Sequence, residues 1–282
     1  MNESPRKIYL TVKDYAVSKE TFGLYRDEKS DMLITFPQPK LSELHQYYES
    51  DNYISHTDGR KSLFERLYQF VKKFALQRKL KIINKLHPGK GKLLDIGAGT
   101  GDFLAVSKGD GWEITGIEPS QKARTIAEGK GISFASDSQL LESGSFDVIT
   151  LWHVLEHVPD LEKQIKELKR LIKPDGTIVV AVPNFRSYDA KYYRHFWAGF
   201  DVPRHLWHFS KKAIKQLFSR EHFKIDTILP MKLDAFYVSL LSEKYKTGNM
   251  NIFKAIYIGL KSNRKAKKRF QYSSLIYIIK SK

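Results

Sequence analysis

The chain has 282 residues, 41% of them hydrophobic, no cysteine and a formal net charge of +17. This length and apolar content allow one large domain with a real core, or one domain with a small appendage. The absence of cysteine excludes disulfides, thiolate zinc sites, iron–sulfur clusters and cysteine nucleophiles.

The N-terminal residues, MNESPRKIYL, lack the apolar segment of a secretory signal. No run of about eighteen uninterrupted apolar residues occurs, so we expect no transmembrane segment. Both observations favour a cytoplasmic protein.

The first part of the chain gives two predictions. Residues 1–60 show no sustained hydrophobic periodicity and contain the turn-forming PQPK, which predicts an irregular N-terminal region. In residues 61–88, leucine, isoleucine and phenylalanine recur at helical spacing until Pro88. This pattern predicts a basic amphipathic helix.

The positive charge is concentrated in two segments. Residues 60–92 and residues 243–282 each hold eleven Lys or Arg against one acid. Such a surface suits nucleic acid, anionic lipid or phosphorylated substrates, or it only keeps the protein in solution. The sequence leaves these alternatives open.

From residue 89 onward, strand-like and helix-like patterns alternate, beginning with KLLDIG and WEITGIEP. The strand cores are continuously apolar, which is typical of a parallel sheet covered by helices on both faces. We therefore predict an α/β domain over residues 89–282, including a short strand at ISFA. Two segments interrupt its pattern, an aromatic-rich one at 185–210 and a basic helical insertion at 233–269.

The loop LLDIGAGTGDF is the clearest candidate site, because Gly97, Gly99 and Gly101 directly follow a buried strand. Glycine lets the backbone turn tightly and approach a ligand closely. Glu118 ends the next strand nineteen residues after Gly99, where a carboxylate can accept ribose hydroxyls. The G-x-G-x-G spacing, with Asp102 starting the next helix, disfavours a pyrophosphate. It predicts a ligand that contains ribose but no phosphate.

Four segments together resemble the class I S-adenosylmethionine-dependent methyltransferases. They are LLDIGAGTGDF (93–103), GIEPS (116–120), FDVITLWHVLEHV (146–158) and LIKPDGTIVVAVPN (171–184). They follow the family's order and spacing, and the resemblance covers about residues 92–230. It implies S-adenosylmethionine as cofactor and a Rossmann-like seven-stranded sheet with an antiparallel last strand, here with a helical N-terminal extension.

The resemblance also implies which residues bind the cofactor. Asp95 and the glycines would hold its methionine part, Glu118 its ribose, and Asp137 its adenine amino group. The full set is Asp95, Gly97, Ala98, Gly99, Gly101, Glu118, Pro119, Asp137, Trp152 and His153. Plainer interpretations are turn glycines, a strand-end acid, and a loop acid or helix cap at Asp137.

The segment LWHVLEHVPD places His153, Glu156 and His157 at the H-x-x-E-H spacing of some zinc proteases. Pro159 ends the local structure too early for the helix that such a protease needs, so a protease is not expected. The segment resembles that of ubiquinone-biosynthesis-type O-methyltransferases, where an E-x-x-E-H version is associated with a divalent metal. His153 replaces the first acid, so we expect no metal; the alternative role of Glu156 and His157 is to brace the loop.

Residues 185–210 combine aromatic rings with Arg and His, which suits a planar, apolar or anionic acceptor. Within DVPRHLWHFS, which resembles a segment of small-molecule and sugar-pathway methyltransferases, His205 is the first candidate for a base or acceptor-positioning group. Asp201 is its expected orienting partner, and His157 is the second candidate. The alternative is an aromatic loop that simply packs over the sheet.

LITFPQPKLSELHQYYESDNYISH resembles the stretch that follows a four-cysteine zinc ribbon in some methyltransferases of natural-product and surface-polysaccharide pathways. Without cysteine, the region 1–60 would be a degenerate ribbon that binds no metal.

Together these patterns predict methylation of a small, lipid-linked or glycan-precursor acceptor at oxygen, by in-line displacement. The alternative is a nucleic-acid-binding methyltransferase or adaptor that uses the basic flanks, although LWHVLEH lacks the signature of base-amino methyltransferases. Peripheral membrane contact and a cofactor-binding protein without catalysis also remain open.

Overall fold

Two β-sheets organise the part of the chain that the structure, a computed structural model, describes, namely residues 8–48 and 63–282. The strands are β1 (Ile8–Lys13), β2 (Thr21–Asp27), β3 (Met32–Phe36), β4 (Lys92–Ile96), β5 (Glu113–Ile117), β6 (Phe146–Trp152), β7 (Ile172–Pro183), β8 (Trp207–His208), β9 (Phe223–Met231) and β10 (Ser274–Ser281). The α-helices are α1 (Leu63–Leu86), α2 (Asp102–Gly109), α3 (Gln121–Glu128), α4 (Leu161–Leu171), α5 (Tyr188–Tyr193), α6 (Lys211–Ser219), α7 (Asp234–Thr247) and α8 (Ile252–Arg269).

The larger sheet has the strand order β5–β4–β6–β7–β10–β9. The first four strands pair in parallel, and β10 pairs antiparallel with both β7 and β9. The predicted parallel α/β sheet with an antiparallel last strand is therefore confirmed. The number of strands was wrong, since the sheet has six strands and not seven.

The missing strand is the predicted ISFA segment, which makes only an isolated parallel bridge between Gly116 and Phe134. The residues beside this bridge are polar, and the Asp137 carboxylate accepts a hydrogen bond from the Gln139 amide at 2.9 Å. That bond caps a short 3-10 helix, which turns the chain away before a second strand residue can pair.

Both faces of the larger sheet are covered, because neighbouring residues of each strand point to opposite sides. Leu93 and Val148 belong to a core with Leu80 and Ile83 of α1. Their neighbours, such as Leu94, belong to a second core beneath α4 and α6. This arrangement leaves the carboxyl ends of the parallel strands as the open edge of the sheet.

The segment 233–269, predicted as a basic helical insertion, contains two helices, α7 and α8. Gly248, with a φ of 80°, stands in the left-handed region and ends α7. The Asn251 side chain then accepts the Lys254 amide at 3.0 Å and caps the start of α8.

The N-terminal region is not irregular, which corrects the prediction for residues 1–60 over the strands β1, β2 and β3. They form an antiparallel sheet that is completed by β8 from the aromatic-rich segment. These strands have only five to seven residues, too few to show a sustained period in the sequence. Four of their apolar side chains, Val12, Phe22, Leu24 and Leu33, are buried in the core of this sheet.

Part of the predicted N-terminal organisation lies outside the described residues, including 49–60 of the proposed ribbon region and the first two residues of the helix predicted at 61–88. The described part of that helix, α1, packs on the larger sheet and on α2. No helix in the ranges 8–48 and 63–282 is both long and apolar enough to cross a bilayer.

Candidate cofactor and acceptor site

The glycine loop after β4 forms a backbone cradle. Gly97, Gly99 and Gly101 all have positive φ, of 69°, 55° and 73°, a conformation that glycine adopts without strain. A methyl group on Gly97 would lie 2.4 Å from the Val154 side chain, whereas one on Gly99 would meet nothing within 4 Å. Gly97 is thus required for close packing, and Gly99 faces open space at the edge of the sheet.

Glu118 lies beside this cradle, at the end of β5. Its carboxylate accepts the backbone amide of Gly99 at 2.8 Å and that of Ser120 at 2.9 Å. Each carboxylate oxygen keeps a further lone pair, so the group remains able to accept two hydroxyls. Pro119 is exposed next to it, and the Ala98 amide donates to the Ile117 carbonyl at 3.1 Å.

Asp95 is buried behind the loop, where the Thr150 hydroxyl donates to it at 2.6 Å. Burial raises the pKa of Asp95 to about 7, although the bond from Thr150 and the charge of Lys79 act in the opposite direction. Asp95 is therefore only about half ionised near neutral pH, and a cation bound beside it would favour the ionised form.

Lys79 of α1 is a site residue that the sequence analysis missed. Its ammonium nitrogen lies 4.6 Å from the centroid of the Trp152 ring, and burial lowers the pKa of this lysine. The indole Nε1 of Trp152 is buried and has no hydrogen-bond partner among the described residues. A signal was available, because Lys79 stands four residues before the fully buried Ile83, on the apolar side of the helix.

His153 lies at the end of β6, between two acids. Its Nδ1 lies 3.3 Å from Glu156 Oε1, and its Nε2 lies 3.2 Å from Oδ2 of Asp234, at the start of α7. Burial acts to lower the pKa of His153, but the two carboxylates outweigh it and raise the pKa to about 10. His153 is therefore a cation held by Glu156 and Asp234, and Asp234 was not predicted.

Asp137 is exposed and caps the 3-10 helix Ser138–Leu140. This matches the plainer interpretation of the residue as a helix cap. Its predicted contact with an adenine amino group stays a prediction.

The two candidate bases, His157 and His205, lie in contact with a distance of 4.6 Å between their ring centroids. His157 Nδ1 lies 3.0 Å from the Arg204 carbonyl, and His205 Nδ1 lies 3.0 Å from the Gly199 carbonyl. A carbonyl only accepts, so each Nδ1 carries a hydrogen. Burial, followed by the neighbouring His205, lowers the pKa of His157 to about 4, which keeps this ring neutral.

Asp201 does not orient His205 as expected. Its carboxylate lies 4.0 Å from His205 Nε2, which is too long for a hydrogen bond. It binds the Arg204 guanidinium instead, at 2.6 and 3.0 Å. The Gly199 carbonyl is the group that fixes the tautomer of His205.

Glu156, His157 and His205 are the described residues that could hold a metal ion, since one ligand atom of each lies within 4.8 Å of the others. The second carboxylate oxygen of Glu156 is buried without a hydrogen-bond partner. One carboxylate and two imidazoles form a ligand set that divalent transition metals accept. The expectation that no metal binds stays a prediction.

The aromatic rings of residues 185–210 are largely core residues and not the walls of a pocket. Phe185, Tyr193, Trp197 and Phe200 are each about 2% exposed and pack against the N-terminal sheet. The alternative of an aromatic loop packed in the structure thus holds for these four rings. The polar groups of the segment, chiefly His205, remain as candidates for contact with an acceptor.

Comparison with known proteins identifies the family. A family model described as a methyltransferase domain matches residues 61–228, which is more than half of the chain. The chain therefore belongs to the class I S-adenosylmethionine-dependent methyltransferases, in their small-molecule branch.

The similar curated proteins act in quinone biosynthesis according to their names. The chain is 34% identical over 103 residues to the ubiquinone biosynthesis O-methyltransferase of Thiobacillus denitrificans, covering 33% of this chain and 44% of that protein. It is 33% identical over 120 residues to the demethylmenaquinone methyltransferase of Staphylococcus aureus, covering 36% and 50%. The chain thus spans about half or less of the length of these relatives.

The solved structure of phosphoethanolamine N-methyltransferase 2 from Haemonchus contortus, in complex with S-adenosyl-L-methionine, has the same fold. The TM-score is 0.54 at 17% identity, and the match covers 100% of this chain and 70% of that one. At this level of identity, the likeness shows the fold alone.

The residues of the site fit S-adenosylmethionine, the cofactor of this family. Gly99 leaves an open cradle beside Glu118, whose remaining lone pairs suit a ribose diol. Lys79 and the unpaired Nε1 of Trp152 offer donors for a carboxylate, and Asp95 offers an acceptor for an ammonium group.

Proposed function

We propose that this protein transfers the methyl group of S-adenosylmethionine to a hydroxyl of a small, lipid-linked or glycan-precursor acceptor. One observation carries the proposal. The glycine cradle follows the end of β4, and the His157–His205 pair follows the end of the neighbouring strand β6. Only five residues separate Trp152, the last residue of β6, from His157. A donor in the cradle and an acceptor at the histidines would therefore be neighbours.

The cofactor, when bound, supplies an electrophilic methyl group for in-line displacement. The chain's own task is to align the acceptor and to take up its proton. His157 and His205 are suited to this, because each ring is fixed through Nδ1 by a backbone carbonyl, so Nε2 is the atom that would take up the proton. The buried Glu156 carboxylate lies close enough to stabilise an imidazolium formed on either ring.

Oxygen is the acceptor atom that the geometry favours. A hydroxyl must lose its proton during transfer, so an imidazole beside the methyl group has a chemical role. The name of the ubiquinone biosynthesis O-methyltransferase among the relatives agrees with an oxygen acceptor.

The proposal can be tested by measuring methyl transfer from labelled S-adenosylmethionine to three acceptors. These are a prenylated catechol, a saccharide linked to polyprenyl phosphate, and the same saccharide without the lipid. We expect label in a lipid-linked acceptor. His205→Gln should lower kcat by roughly 10²-fold while leaving cofactor affinity unchanged, because it removes only the base. His222→Asn, an exposed histidine before β9, is the matched control and should retain full activity.

The results separate the alternatives. Tight cofactor binding without turnover on any acceptor would indicate a binding protein without catalysis. Turnover that survives both His205→Gln and His157→Gln would show that the base has been assigned wrongly.

A further inference from the structure

Helix α8 presents an apolar stripe to solvent. Phe253, Ile256, Tyr257 and Leu260 are 88%, 46%, 54% and 58% exposed. Their spacing of three and four residues places them on one side of the helix. We call these four residues the α8 stripe; such a run of exposed large apolar side chains marks an interaction site.

The stripe is not needed to hold α8 in the fold. The helix packs on its neighbours through a different side, formed by small or buried residues, namely Ala255, Ile258, Gly259, Ser262 and Ala266. Phe236 of α7 lies so close to Gly259 that an added Cβ would be 2.6 Å from its ring. The fold therefore already uses one face of the helix, and the stripe is a second apolar face that residues 8–48 and 63–282 leave uncovered.

The surroundings of the stripe are positive. Lys254 and Lys261 have their ammonium groups 5.9 and 5.3 Å from the Tyr257 ring centroid. Lys265 lies 4.3 Å from the centroid of Tyr188 on the adjacent α5. No Asp or Glu follows Glu243 in the sequence, so α8 itself carries only positive charge.

The acids on the adjacent helices are not exposed beside the stripe, because Asp189 and Glu243 are buried and Asp234 is held in an ion pair. The carboxylate of Asp189 on α5 accepts hydrogen bonds from the Trp197 indole and from the hydroxyls of Ser262 and Ser273. Glu243 of α7 accepts the Tyr193 hydroxyl at 2.9 Å. Asp234 pairs with His153 at 3.2 Å.

We propose that the α8 stripe docks the protein on an anionic lipid bilayer, with the four apolar side chains in the acyl boundary and the lysines among the headgroup phosphates. An exposed apolar face bordered by lysines is the arrangement found in helices that lie in the membrane interface. A second copy of this chain fits poorly, because a symmetric contact would place lysine against lysine. Nucleic acid would use the charge but leave the apolar side chains without a partner.

Docking of this kind also brings the first part of the aromatic-rich segment 185–210 towards the bilayer. Tyr188 and Tyr192, which lie beneath the lysines, belong to the segment that carries His205. The docking proposal does not depend on methyl transfer, since vesicle binding can be measured without cofactor or acceptor.

Flotation of the full chain with vesicles tests the proposal. We expect binding to phosphatidylcholine vesicles that contain phosphatidylglycerol, little binding to phosphatidylcholine alone, and weakening of the former as salt rises. The double variant Phe253→Ser, Leu260→Ser should bind at least about tenfold more weakly, because two large apolar side chains leave the lipid. Leu140→Ser, at a 77% exposed leucine outside α8, should bind like the wild type.

A second pair of variants tests the charges. Arg264→Glu with Lys268→Glu, both exposed on α8, should abolish the preference for phosphatidylglycerol. Lys212→Glu with Lys215→Glu, exposed on α6, changes the net charge equally and should have a much smaller effect.

Three results would overturn the proposal. The first is equal binding to both vesicle types, and the second is a loss of binding that is the same in the α8 and α6 charge variants. The third is wild-type self-association or nucleic-acid binding, without lipid binding, that the Phe253→Ser, Leu260→Ser variant removes.

Discussion

A single residue on the apolar side of α1, Lys79, would contact the methionine end of the cofactor if the proposed site is right. Lys79 is placed over Trp152, and three acids, Asp95, Asp102 and Asp234, act on its charge. Burial lowers the pKa of Lys79, so a bound carboxylate would supply a counter-charge at close range. The unpaired Nε1 of Trp152 adds a second donor at the same place.

We expect Lys79→Met to weaken S-adenosylmethionine binding by at least about tenfold, since a charge-assisted hydrogen bond contributes about 1.5–3 kcal/mol. Lys81→Met, at an exposed position of the same helix, is the matched control. Calorimetric titration of both variants measures the effect. Equal affinities would place the carboxylate of the cofactor elsewhere.

Asp95 gives a prediction about pH. Its pKa of about 7 in the free protein means that it gains a proton as the pH falls through neutrality. An ammonium group beside it favours the ionised form, so cofactor affinity should fall below pH 7, by up to about tenfold per pH unit.

Titrations between pH 5.5 and 8.5, in buffers of different ionisation enthalpy, would measure the affinity and the proton released on binding. Asp95→Asn should bind more weakly at pH 8 and lose this pH dependence. A wild-type affinity that does not change over the range would contradict the assignment.

The raised pKa of Asp95 also makes the stability of the folded protein depend on pH. The folded protein keeps the Asp95 proton up to about pH 7, whereas the unfolded chain loses it near its usual pKa of 3.8. Between these values the folded state binds more protons, so this group makes the free protein less stable as the pH rises.

At the scale of the elements, buried ion pairs of Arg204 connect the end of β1 to the segment before β8. Arg204, 1% exposed, lies 3.0 Å from the fully buried Asp14 and 2.6 Å from Asp201. It also donates to the Tyr47 carbonyl at 2.9 Å. These contacts tie the N-terminal sheet to the residues that carry His205.

Asp14→Ala should destabilise the protein by about 3–5 kcal/mol, because it leaves the buried guanidinium without one of its counter-charges. Asp226→Ala, at an exposed position of β9, should change stability by no more than about 0.5 kcal/mol. Urea unfolding at pH 7 compares the two. A small effect of Asp14→Ala would mean that Asp201 alone neutralises Arg204.

This ion pair also has a pH dependence. Burial acts to raise the pKa of Asp14, but the bonds and charge from Arg204 outweigh it and lower the pKa below 3.8. The stabilisation is therefore present above about pH 4 and is lost as the pH falls through the lower folded-state value.

At the scale of the whole molecule, the parallel sheet and its cofactor loop were predictable because their signals are local. The central strands β4 and β6 are buried along most or all of their length, and β6 reads as an apolar run. The glycine loop and Glu118 lie only nineteen residues apart in the sequence.

The features that were missed depend on distant partners. Asp234 and His153 are 81 residues apart in the sequence, and Asp14 and Arg204 are 190 residues apart. No periodicity in a single sequence reports such pairings. The short strands β1 to β3 were missed because each is stabilised by its neighbours more than by its own composition.

The smaller sheet also has a consequence for synthesis on the ribosome. Strand β3 lies between β2 and β8, so it is an edge strand until β8, Trp207 and His208, has been made. Thr35 of β3 also donates to the His205 carbonyl at 2.6 Å across 170 residues of chain. At about 5–20 residues per second, β3 waits roughly 10–30 s for its partner strand to be translated. During that time, its open edge and the Leu33 side chain are exposed to other nascent chains, so β3 is the place where a holding chaperone would protect the newborn protein.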